Sequence, residues 1–156
     1  MPIPPLTHEG ILPEGVHDCT LTEVGEAFGV SDPQRQRLWA AFPVFLDWAR
    51  RLPGATFVWI DGSFVTDKVD PGDIDVILET LLDSAEALPF VLTVMAERAH
   101  QKQHHGVDAL PSWPGIAPLT DLGLPVVEAF QRLRPGDAKA RYLLPDAKKG
   151  ILRVQL

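Results

Sequence analysis

Asp73 and Asp75 are separated by one residue within the run Asp-Ile-Asp-Val-Ile-Leu-Glu (73–79), whose alternate positions are apolar. In an extended strand such a pair points to one face, with the two carboxylates about 7 Å apart along the chain. Two carboxylates so placed reach the same divalent ions. Oxygen donors of this hardness select Mg²⁺, which commonly combines a few carboxylates with substrate phosphates. A pair of such ions clamps the attacking and leaving oxygens of a phosphoryl-transfer displacement. Upstream, the hydrophobic run Ala55–Ile60 ends in Gly62-Ser63, and nine residues separate Ser63 from Asp73. A glycine lets the backbone approach a ligand closely, and the following amides and a serine hydroxyl can bond phosphate oxygens.

The elements that must position these residues are legible in outline. Residues 1–19 read as an extended arm, and 20–156 as one domain. Thr20-Leu-Thr-Glu23 has the spacing of a capping box and predicts a short helix ending near Gly29. Ser31-Asp32-Pro33 predicts a second helix start. That helix carries Leu38, Phe42, Phe45, Leu46, Ala49 and Leu52 on one stripe, stops at Pro53-Gly54, and is expected to kink or break at Pro43. Strands are expected over 55–60, 73–79, 106–110 (ended by Pro111) and 150–156. A helix beginning at Ser84 or Pro89 runs through FVLTVMAERAH, and another covers 124–133. Strands interleaved with helices predict an α/β or α+β domain, a mixed sheet flanked by helices.

Composition narrows the function classes. The chain has 156 residues, the size of one ordinary domain. Fourteen Lys and Arg against 21 Asp and Glu give a net charge of −7, which disfavours a general nucleic-acid binder, because phosphate contacts dominate that affinity. A single cysteine, Cys19, makes no internal disulfide and suits a reducing compartment. The start MPIPPLTHEG has neither the basic nor the apolar stretch of a signal peptide, and no run reaches the length of a membrane span. The expectation is a soluble, cytoplasmic protein with no membrane partner.

The strand, Gly-Ser turn and Asp-x-Asp strand together resemble the nucleotidyltransferase superfamily, the DNA polymerase β-like fold, and especially its minimal members. Over nearly its full length the chain is similar to small bacterial nucleotidyltransferase-like proteins, through LPEGVHDCTLTEV, WIDGSFVTDKVDPGDIDV and KKGILRVQL. The resemblance implies a third acidic residue on a later strand, for which Asp108 in HGVDALP is the candidate. It implies a catalytic and metal-binding set of Asp73, Asp75 and Asp108, with Mg²⁺ or Mn²⁺ as cofactor and an NTP as substrate. Gly62 and Ser63 would hold its phosphates, and Lys68 would neutralise the triphosphate. The activity implied is transfer of an NMP group to a hydroxyl acceptor on a toxin-like partner protein; a tRNA 3′ end fits the net charge less well. The interval between serine and aspartate is one residue shorter than in the better-known minimal members. The turn is followed by Phe64-Val65-Thr66-Asp67-Lys68 instead of their usual Ala-Arg-Gly, so their nucleotide contacts are not carried over.

Each assignment has a plainer competitor. Ser63 also reads as a turn-stabilising hydroxyl, Lys68 as a solvated loop lysine, Asp61 as a cap of the turn, and Asp108 as a strand-end residue. His100, His104 and His105 read as a polar helix end, since nothing completes a four-ligand zinc set. The four tryptophans read as packing residues, and Cys19 as an inert thiol. The competing function is a non-catalytic or weakly catalytic interaction module, such as the antitoxin half of a toxin–antitoxin or defence pair.

Overall fold

A computed structural model describes residues 2–114 and 126–156. The order of elements is β1 (Gly15–Asp18), α1 (Leu21–Phe28), α2 (Pro33–Arg50), β2 (Ala55–Asp61), a 3-10 turn (Gly62–Val65), β3 (Ile74–Thr80), α3 (Ser84–His105), β4 (Val107–Ser112), α4 (Val126–Phe130), α5 (Pro135–Ala140) and β5 (Gly150–Gln155). The strands form one mixed five-stranded sheet in the order β1-β5-β2-β3-β4. The β1/β5 and β3/β4 pairs are parallel, and β2 runs antiparallel to both β3 and β5. The chain is therefore a single-domain α+β protein.

Local chemistry accounts for the helix ends. Thr20 Oγ1 accepts from the Glu23 amide at 3.3 Å while the Glu23 carboxylate accepts from the Thr20 amide at 2.7 Å, a complete capping box on α1. Asp32 caps α2 by accepting from the Arg35 amide at 2.8 Å, and Pro33 takes the first helical position. Asp83 caps α3 through the amides of Ala85 and Glu86, so the start at Ser84 is the one used and Pro89 lies inside the helix. Gly106, at φ +66°, turns α3 directly into β4.

Alternation along the strands gives the sheet two faces. Ile74, Val76 and Leu78 of β3, with Val58, Ile60, Val107, Ala109, Leu152 and Val154, pack against Val24 and Phe28 of α1, Leu38, Phe42, Phe45, Leu46 and Ala49 of α2, and Phe90 and Val94 of α3. Trp59, Ile77 and Ile151 on the other face pack with Val126, Val127 and Phe130 of α4. The odd residues of β3 therefore share a face with α4, and Asp75 is one of them.

Three expectations are corrected. The alternative of a break at Pro43 is not realised: α2 continues as one helix from Pro33 to Arg50, with Phe42, Phe45, Leu46 and Ala49 around the proline all buried in the core. Strand β4 continues through Pro111 to Ser112. It is the edge strand, where a residue without an N–H costs no ladder bond on the open side. The segment read as an arm is built into the domain: Ile11 and Leu12 are buried, and Gly15–Asp18 pairs residue for residue with Gly150–Arg153. The helix expected over 124–133 is observed over Val126–Phe130; residues 124 and 125 lie outside the described residues.

Candidate metal centre

The register of the sheet assembles the site. Asp61 of β2 stands opposite Asp75 of β3, and Asp75 stands opposite Asp108 of β4. Paired residues project to the same side, so three aspartates form a row across three strands, with Asp73 immediately before β3. Oxygens of Asp73, Asp75 and Asp108 all lie within 4.8 Å of one another. Among the described residues no other group of three or more His, Cys, Asp or Glu side chains converges in this way.

Cations answer most of this charge. Arg98 grips Asp108 with both arms of its fork, Nε donating to Oδ1 at 2.6 Å and Nη2 to Oδ2 at 3.2 Å. Lys102 Nζ lies 3.0 Å from Asp108 Oδ2 and 3.2 Å from Asp73 Oδ2, bridging the two carboxylates. Lys149 makes a buried ion pair with Asp61. Arg98, Lys102 and Lys149 thus pair with Asp61, Asp73 and Asp108, and the central carboxylate, Asp75, has no ion-pair partner among the described residues.

The electrostatics follow from that arrangement. Burial, then the neighbouring charges of Asp73, Asp61 and Asp108, push the Asp75 carboxyl up from 3.8 to about 6. Burial also acts to raise Asp108, but hydrogen bonds from Arg98 and Lys102 outweigh it and hold that carboxyl below its ordinary range. Burial raises Asp61, and the Lys149 ammonium opposes the shift. An oxygen-only donor set with an unpaired, half-buried carboxylate at its centre fits a hard divalent cation such as Mg²⁺ or Mn²⁺.

The turn beside the row is shaped by three residues. Gly62 adopts φ +75°, and a Cβ there would overlap the Asp75 carboxylate. The close approach that glycine permits is thus made by Asp75 itself. Arg35, a buried residue of the first turn of α2, donates to the carbonyls of Phe28 and Phe64 from Nη1 and to those of Ser63, Thr66 and Lys68 from Nη2, while Nε pairs with Asp32 at 3.1 Å. One guanidinium therefore fixes the whole segment from Ser63 to Lys68. Thr66 Oγ1 closes the turn by donating to the Ser63 carbonyl at 2.8 Å.

Of the residues singled out by sequence, Asp73, Asp75 and Asp108 come together, and Gly62 lies against Asp75 with Ser63 next to it. Lys68 does not join them. It is exposed and lines a cavity with Ile3, Pro5, Arg35 and Val69, a lining that includes none of the three aspartates. Asp61 does not cap the turn through its side chain and is instead the anionic half of the pair with Lys149. His104 Nδ1 bonds the His100 carbonyl of its own helix and the two rings stack at 4.2 Å, a polar helix end. Burial pushes the Cys19 thiol up to about 11, with Glu23 and Asp18 adding to it, which leaves it unreactive.

Sequence reasoning missed Arg98, Lys102 and Lys149. Arg98 and Lys102 stand four apart on α3, hence on one helix face, and precede Asp108 closely enough to fold back on it. Lys149 directly precedes β5, in a run that carried the resemblance without a role attached.

Residues 4–155 match DUF6932, a family of unknown function, and the chain belongs to that family. Neither a curated protein nor a solved structure matches it. No helix among the described residues is long and apolar enough to cross a membrane.

Proposed function

We propose that the chain is a Mg²⁺-dependent nucleotidyltransferase that moves an NMP group from an NTP to a hydroxyl on a separate acceptor. One observation carries the reading: the oxygens of Asp73, Asp75 and Asp108 converge within 4.8 Å, beside the Gly62-Ser63 turn. The resemblance to minimal nucleotidyltransferases gives that cluster its chemistry. The fold family assigned is accordingly the DNA polymerase β-like one.

Divalent cations, held by Asp73, Asp75 and Asp108, would supply charge neutralisation for the triphosphate and for the reacting oxygens. The acceptor oxygen bonds the α-phosphorus as the bond to the bridging oxygen breaks; the hydroxyl proton passes to solvent water, and pyrophosphate leaves with the electron pair of the broken bond. This chain's own residues position the participants. Arg35 holds the Ser63 turn rigid, so that the Ser63 hydroxyl and nearby amides meet phosphate oxygens without reorganising. Asp108, gripped through both oxygens by the Arg98 fork, is a weak base, and its role is to orient the acceptor hydroxyl. The acceptor is a protein, toxin-like in being the chain's cognate partner. The −7 charge disfavours capture of a tRNA end.

Labelling with α-labelled NTP and Mg²⁺ in cell lysate tests the reading. Label that survives RNase, is lost with protease and is absent with Asp75→Asn supports it. No transfer from protein shown to bind NTP and metal favours a second reading, the non-catalytic interaction module. Two observations support that alternative: Asp73 and Asp108 are already ion-paired, and Leu88, Leu92 and Met95 form an exposed apolar stripe on α3.

A further inference from the structure

We propose that Lys102 is a built-in counter-cation that occupies the metal position and must be displaced before a divalent ion binds. The inference rests on the metal-centre reading above and assigns it a regulatory element. An ammonium 3.2 Å from Asp73 and 3.0 Å from Asp108 sits between the two carboxylates that a shared ion has to bridge. A divalent ion approaches such oxygens to about 2.0–2.1 Å when it is Mg²⁺, leaving no room for the ammonium between them. The two cations also repel strongly at such separations. Occupancy is therefore exclusive: Lys102 or the metal.

Two cations touch Asp108, and the structure distinguishes the one that yields. Arg98 engages both Asp108 oxygens through a planar fork, a geometry that fixes the carboxylate. Lys102 is a point charge on a flexible stem, and its side chain is 53% exposed while that of Asp108 is 12% exposed. It can withdraw into water with little rearrangement, leaving Asp108 held by Arg98. Asp75, the carboxylate with no ion pair among the described residues, is the ligand left to receive the ion. The metal-free site is thus closed but not dismantled, and its affinity for a divalent ion is set by the competition with Lys102.

The test is titration of the full-length chain with Mn²⁺, reading free Mn²⁺ by its electron paramagnetic resonance signal, a measurement independent of catalysis. Lys102→Met, which keeps the stem and removes the charge, is expected to bind Mn²⁺ about tenfold more tightly than the parent, the effect of removing one charged competitor. Lys102→Arg, which keeps the charge, should bind no more tightly than the parent, and adding Asp75→Asn to Lys102→Met should abolish binding. Binding by Lys102→Met alone, with the parent silent, supports the proposal equally. Equal or weaker binding by Lys102→Met overturns the proposal while leaving the metal centre intact, as does tighter binding by Lys102→Arg. Absence of binding in parent and Lys102→Met at millimolar Mn²⁺ removes the metal centre, and the proposal with it.

Discussion

Replacing Asp75 by asparagine should make the metal-free protein more stable at neutral pH and leave it unchanged in acid. The carboxyl titrates near 6 in the folded chain against a reference of 3.8, because it is buried among the charges of Asp73, Asp61 and Asp108. Above the folded pKa both states are ionised, and the folded state bears the full cost of the charge. Below the reference value both are protonated and the cost vanishes. Stability attributable to this group is therefore complete in acid and is lost as pH rises through 6. A difference of about two pK units corresponds to about 3 kcal/mol, and relaxation of the site reduces the working figure to about 1.5–3 kcal/mol. For a domain of this length that is a rise in Tm of about 3–10 °C at about pH 7.5, shrinking to nothing near pH 4. The assay is thermal unfolding of parent and variant in chelator at both pH values, reading the difference so that other titrating groups cancel. A variant less stable than the parent at neutral pH, or equally stabilised at both pH values, would refute the reasoning.

Three further outcomes follow from the surrounding residues. Lys149→Met strands the buried Asp61 carboxylate and should cost about 3–5 kcal/mol in urea unfolding, with most of the loss recovered in the Lys149→Met/Asp61→Asn double variant. Gly62→Ala forces a Cβ onto the Asp75 carboxylate at a positive φ; it should cost about 1–3 kcal/mol and weaken Mn²⁺ binding, read by calorimetry. Arg35→Ala leaves a set of turn carbonyls without their donor and should lower stability by about 3–5 kcal/mol; hydrogen exchange should show the loss of protection centred on residues 63–68.

The parts of this protein that could be read from sequence are those written in local patterns. Thr20-x-x-Glu23 and Asp32-Pro33 announce helix starts, and the alternation through Asp73–Glu79 announces a strand with both acids on one face. Asp108 is reached through the resemblance, which implies a third acid on a later strand, and the parallel register of β3 and β4 sets it beside Asp75. Long-range packing was not legible. Pro43 argues locally for a break, yet the buried stripe on either side keeps α2 whole. Pro111 reads as a terminator because sequence does not say which strand lies at an edge. Gly15–Asp18 joins the sheet through β5, which lies more than a hundred residues away, so nothing near it signals pairing. The same holds for the cations: Lys149 reaches Asp61 only after β5 has docked against β2. Lys68, near the turn in sequence, ends up facing another cavity because Arg35 draws the Thr66 and Lys68 carbonyls inward.

The central claim, that Asp73, Asp75 and Asp108 form a divalent-cation site for NTP chemistry, is tested most directly by anomalous diffraction. Crystals would be soaked with Mn²⁺ and an NTP whose α–β bridge resists cleavage. The expected result is a manganese peak bonded to oxygens of the three aspartates, triphosphate density beside Gly62-Ser63, and Lys102 moved away from Asp73. A manganese peak elsewhere, or none while Lys102 still bridges Asp73 and Asp108, would contradict it.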